Sequence, residues 1–143
     1  MHALRCLFAA GLLLLLGCGP PVVKTPPATF TQIYAALFPV GTKGQCNYCH
    51  NRPPNDISNG KLDLGETQAA AYAALVGPDS VSAKCGGVGK KLVAPGEADS
   101  SLFLQKFAAM PSCGDRMPQG GTALTATQLE MVRSWIAHGA PND

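Results

Sequence analysis

Apolar residues in this chain occur as one unbroken run near the start and then as stripes at helical spacing. Phe30, Ile33, Tyr34, Leu37 and Phe38 repeat at three- and four-residue intervals behind Thr29, a residue that caps helices well, and Pro39 with Gly41 closes the stretch. A second helix is predicted over Glu66 to Leu75, where alanines favour helix and permit close packing, ending at Gly77-Pro78. A third and shorter one is predicted from about Asp99 to Phe107, with Leu102, Phe103 and Lys106 in its body. The last has the clearest boundaries. Thr125 and Gln128 form a capping box, Leu129, Val132 and Ile136 make one stripe with Met131 and Trp135 beside it, and Gly139 and Pro141 end it. No alternating pattern of any length competes, and only Lys61-Leu62-Asp63-Leu64 fits a short extended piece. The pattern therefore predicts a mostly α domain of about four short helices joined by long irregular loops. Loops of this length call for something to wrap around.

The unbroken run is of a different kind. Arg5 supplies a positive start, and Cys6 to Leu16 is apolar but too short to cross a bilayer as a mature helix. It ends in Leu15-Leu16-Gly17-Cys18, which resembles the bacterial lipobox. That resemblance implies cleavage before Cys18, a diacylglycerol on its thiol and an acylated amine; a plain secretory signal cut near Gly19 or Pro20 is the alternative. Several acyl chains at one residue give durable anchoring, at roughly 0.8 kcal/mol per buried methylene. Gly19, where Asp would favour inner-membrane retention, tilts the expectation toward the outer membrane. Residues 1–17 are thus read as a lipoprotein signal peptide. Residues 18–28, with Pro20, Pro21, Pro26 and Pro27, are read as an extended tether, and residues 29–143 as a single folded domain. The expected location is the periplasmic side of a bacterial cell envelope.

Of the chain's 143 residues, 11 are Lys or Arg and 9 are Asp or Glu. Nucleic-acid binding would need a concentrated basic patch, and none is expected here. Lys84, Lys90 and Lys91, joined by Lys106 and Arg116, are either a solvated surface or a weak docking site for an acidic partner.

The chemistry is concentrated in Cys46-Asn47-Tyr48-Cys49-His50. C-x-x-C-H is the attachment signature of a c-type haem. Positions i, i+3 and i+4 share one face of a helical turn. Two thiols can therefore reach the two vinyl groups on one porphyrin edge, forming thioethers, while the imidazole of His50 meets the iron. Its other ring nitrogen is then expected to donate a hydrogen bond that fixes the tautomer. Two other readings use the same cysteines. A redox C-x-x-C usually accompanies alternating strands and helices, which are absent from this pattern. A zinc site of Cys46, Cys49, Cys85 and Cys113 needs reduced thiols, against the export signal.

The remaining cysteines divide cleanly. Cys6 leaves with the signal and Cys18 takes lipid, so Cys85 and Cys113 remain, and in an oxidising compartment one disulfide is the economical reading. A haem with both faces occupied needs a ligand opposite His50. Met117 is the choice, in Cys113-Gly114-Asp115-Arg116-Met117-Pro118, because Pro118 disfavours helix there and stiffens the backbone. Met110 is the main competitor. Met131 is better explained as core packing, and His138 by the carbonyls ending its helix.

With these residues in place, the chain resembles the class I cytochrome c domain, in an exported bacterial subgroup. The match runs through Cys46 to His50, Val93-Ala94-Pro95-Gly96, Ser101-Leu102, Cys113-Gly114, Met117-Pro118, Leu124-Thr125 and Trp135-Ile136. The resemblance implies an α fold whose first and last helices cross at the edge of one covalent haem c, with His50 and Met117 as iron ligands. It also places the Cys85–Cys113 pair within the subgroup. The function expected is one-electron transfer between redox partner proteins by a membrane-tethered carrier that is not itself an enzyme. The alternatives are a haem enzyme or gas sensor with an open distal position, and a structural lipoprotein without haem.

Overall fold

The computed structural model describes residues 26–51, 62–85 and 90–143. The expected signal peptide, Cys18, most of the tether and Lys61 lie outside the described residues.

Helix α1, Phe30–Leu37, begins where Thr29 and Gln32 form a reciprocal capping box that satisfies two of its free N–H groups. A second device closes the same end. The Asp143 carboxylate accepts from Phe30 N at 2.7 Å, and the Asp143 backbone oxygen accepts from Thr31 N at 3.1 Å. This places negative charge at the positive end of the helix. The pentapeptide Cys46–His50 forms its own short turn, α2. Helix α3, Gln68–Leu75, starts two residues later than the pattern predicts, because the Thr67 hydroxyl accepts from Ala70 N and fixes the boundary there.

The third predicted helix is the one the structure shortens most. Only Leu102–Gln105, α4, is helical. The Ser101 side chain accounts for the missing first turn: its hydroxyl donates to Glu97 O at 2.9 Å and accepts from Ala94 N at 2.9 Å. A buried hydroxyl engaged on both sides holds residues 97–100 in a turn rather than a helix. Helix α5, Ala126–Ala137, has the expected Thr125–Gln128 capping box. At its other end Gly139 N bonds Ile136 O and Ala140 N bonds Trp135 O, both at 3.0 Å, with Gly139 at φ +93°. This is the paired arrangement that a glycine at the helix end permits.

Helix α1 packs on α5 and α3, and α4 packs on α5. The shared interior is aromatic. The Phe30 ring lies 5.1 Å from Trp135, 5.2 Å from Tyr72 and 5.9 Å from Phe38 by centroid. Phe30, Ile33, Leu37, Val132, Trp135 and Ile136 are all fully buried. Tyr72 and Trp135 keep their polar ends satisfied, donating to Ala140 O and Pro141 O at 2.8 and 2.9 Å. Extended structure among the described residues is confined to two isolated bridges, Val76 with Val93 and Asp79 with Lys91. Among the described residues Leu62 to Leu64 has no strand partner; the Asp63 side chain accepts from Gly65 N to make a local turn instead. The protein is mostly helical, and no helix among the described residues is long and apolar enough to cross a membrane.

Candidate functional site

The α2 turn is held against the end of α1 by its own approach segment. Gly44 is buried so tightly that a Cβ there would lie 2.9 Å from Leu37 Cα and closer still to Leu37 O. Gln45 follows in the left-handed region at φ +46°, and Asn47 N then bonds Phe38 O at 3.0 Å. These three contacts turn the chain so that Cys46, Cys49 and His50 emerge on one side, each half-buried.

His50 has a defined orientation. Its Nδ1 lies 3.1 Å from the carbonyl oxygen of Leu62. A carbonyl only accepts, so Nδ1 carries the proton and Nε2 presents a lone pair. The same junction is tied a second time, by Leu64 N to His50 O at 2.6 Å. Both sulfurs of the turn are free thiols. Burial pushes the Cys46 thiol up to about 12, with a lowering backbone hydrogen bond and a raising contribution from Cys49 as smaller effects. A redox or nucleophilic cysteine needs the opposite shift, toward thiolate.

Across from α2 runs the loop that carries Met117. Cleft-lining residues are Gly44 to Cys46 and Tyr48 to His50 on one side, and Met117 to Gly121 on the other, around a volume of about 220 Å³. Met117 is partly buried and packs against the core, and its N–H donates to Lys106 O at 2.7 Å. The competing sulfur and imidazole groups are elsewhere. Met110 is 90% exposed, Met131 packs on the core from α5, and His138 is exposed with Nδ1 on Ser134 O at 2.7 Å. None of them lines the cleft.

Cys85 and Cys113 stand at disulfide distance, with Cα atoms 5.3 Å apart. The four sulfurs are therefore not gathered into one tetrahedral set: one pair lines the cleft and the other closes a loop on itself. Among the described residues, no group of three or more His, Cys, Asp or Glu side chains forms a metal-holding cluster. The basic side chains are also more committed than their sequence clustering suggests. Lys84 pairs with Asp115 at 3.1 Å, Lys91 pairs with Asp79 at 3.0 Å, and Lys106 Nζ donates to two backbone carbonyls.

Three contributors to the site are not evident from motif reading. The Leu62 carbonyl that orients His50 is a backbone atom and leaves no mark in the sequence. Lys106 reads as a surface cation on a helix. Gly44, directly before the turn, is the one signal that closer reading could have used, since a glycine there points to a close backbone approach. No protein-family model matches the chain, and comparisons with curated proteins and with solved structures find no match.

Proposed function

We propose that this chain is a monohaem c-type cytochrome of the class I kind, exported and anchored in a bacterial envelope through an acylated Cys18. Its function is to carry single electrons between partner proteins rather than to transform a substrate. The observation that supports this best is the meeting, in one cleft, of the C-x-x-C-H turn, an imidazole with Nε2 available, and the Met117 loop. The donor set fits a covalent haem. Two unpaired thiols sit one helical turn apart, an oriented nitrogen lies beside them, and a soft thioether stands on the opposite wall.

In this reading Cys46 and Cys49 fix the group by thioether bonds, and His50 binds through Nε2 while Leu62 O holds its ring in place. Met117, on the opposite wall of the cleft, would supply a thioether ligand, which raises the reduction potential of a haem so held. When bound, haem supplies a reversible one-electron couple at iron. With both His50 and Met117 as ligands the group would be held for electron transfer rather than for binding a substrate. The apolar interior beneath the cleft, including Leu37 and Phe38, disfavours the more charged oxidised centre. Acidic or neutral redox proteins at a membrane surface are the partners this reading expects; nucleic acid is not among them.

The decisive experiment is an optical spectrum of the mature protein, made with a working haem-maturation system, in both oxidation states with and without CO. A haem that stays with the denatured polypeptide and does not take up CO is expected. Replacing Cys46 and Cys49 together with Ala should abolish covalent haem. The Met117→Ala protein should bind CO and show a lower potential, while Met110→Ala should behave as the parent. Ready CO binding by the parent protein would point instead to an open distal site, and a colourless product would remove the reading altogether.

A further inference from the structure

We infer that Lys106 is a positioning residue for Met117, a role that rests on the proposed ligation and concerns how the sulfur is held in place. Lys106 terminates α4, where its own N–H bonds Leu102 O. Its Nζ donates to Cys113 O at 2.8 Å and to Asp115 O at 3.1 Å, while its backbone oxygen accepts from Met117 N at 2.7 Å. One residue therefore grips the loop at three places, before and at the ligand, with its backbone oxygen and with the tip of its side chain.

The fit around the ammonium is too close to be casual. Gly114, between the two gripped carbonyls, sits at φ +57°, and a Cβ there would lie 2.7 Å from Nζ. The loop is thus wound about the charge, with carbonyl dipoles aimed at it. A solvating lysine keeps its head in water and pays no entropy to be fixed. The Lys84–Asp115 ion pair and the Cys85–Cys113 bridge pin the outer part of the loop to residues 84–85. Between Asp115 and Met117, among the described residues, the hydrogen bonds that tie the loop to a helix are those of Lys106. Hydrogen bonds donated by a charged group are about twice as strong as neutral ones. Removing the ammonium leaves two carbonyls to be resatisfied and loosens the backbone just ahead of the sulfur.

The test compares Lys106→Met, Lys106→Arg and Lys84→Met in the holoprotein. It reads the thioether-to-ferric charge-transfer band, the reduction potential and CO affinity of the reduced form. Lys106→Met keeps the side-chain length and loses the donors. It should weaken the band, lower the potential and raise CO affinity by about tenfold, the factor that loss of one charged hydrogen bond supplies. Lys106→Arg, which can still donate to both carbonyls, should restore most of the band. Lys84→Met removes a neighbouring positive charge without touching these carbonyls and should leave CO affinity unchanged. If Lys106→Met does not accumulate, Lys106→Gln, which removes the charge and keeps one neutral donor, must give the same three changes in smaller measure. Unaltered band and CO affinity in Lys106→Met, or equal changes in Lys84→Met, would overturn the inference while leaving the haem assignment standing. A parent protein without the thioether band would instead remove the Met117 assignment, and the role of Lys106 with it.

Discussion

At Gly44 the chain entering the cysteine turn passes over the last turn of α1 with no room for a side chain. A methyl group there would have to displace Leu37 or lift the turn from α1. Gly44→Ala should therefore destabilise the protein by about 1–3 kcal/mol, the usual cost of forcing extra volume into a packed site. The denaturant midpoint measures this, and an unchanged midpoint would mean that the approach segment is not held against α1. Gly120, by contrast, has open space around it and a positive φ, so its constraint is conformational rather than steric. At this scale the cysteine turn with His50 is legible in the sequence because its spacing is local, whereas Met117 reaches the same cleft only through the fold. The Leu62 carbonyl was not, since every residue carries the same acceptor and only folding selects one.

The helices differ in how much of their limits is local. Capping boxes at Thr29 and Thr125 are made within four residues, and α1 and α5 begin where they were expected. Thr125→Ala removes the acceptor for Gln128 N and should cost about 1 kcal/mol, seen as a lower thermal midpoint. A loss well above that would imply that Thr125 also organises the neighbouring loop. Helix α4 was overextended because apolar spacing alone continues through Asp99 to Phe107. What stops it is the Ser101 hydroxyl, whose partners Ala94 and Glu97 come together only when the loop before α4 folds back. The same turn is fixed from a distance by Gly96 N on Ile136 O at 2.8 Å. An N-cap threonine advertises itself; a serine serving a folded loop does not.

For the whole molecule, the small aromatic core and the long loops make cross-links consequential. The Cys85–Cys113 pair spans 28 residues and fastens the segment after α3 to the loop carrying Met117. Replacing both with Ser should lower stability by about 3 kcal/mol by the chain-entropy account. Equilibrium unfolding with and without reductant checks this: reductant should destabilise the parent protein and leave the double variant unaffected. The charged residues carry a related lesson. Lys84, Lys90, Lys91, Lys106 and Arg116 read as one basic group along the sequence, yet within the fold Lys84 and Lys91 pair with separate carboxylates and Lys106 with backbone carbonyls. Charge counts are additive along a chain, but exposed potential depends on which charges the fold neutralises.

The sequence by itself determined whatever depends on near neighbours. It set the reactive groups of the cysteine turn, the helix starts made by short side chains, the stripes that must be buried, and the likeness of the first residues to a lipid-attachment signal. Each is written within a few residues, where spacing fixes geometry. Only the tertiary structure decided what depends on distant partners meeting. It brought the Met117 loop opposite the cysteine turn, chose a carbonyl to orient His50, shortened α4 and set the Lys106 ammonium on two loop carbonyls. Those outcomes follow from closing loops around an aromatic core, whose cost and reward are shared by segments far apart in the chain. No local pattern carries that information.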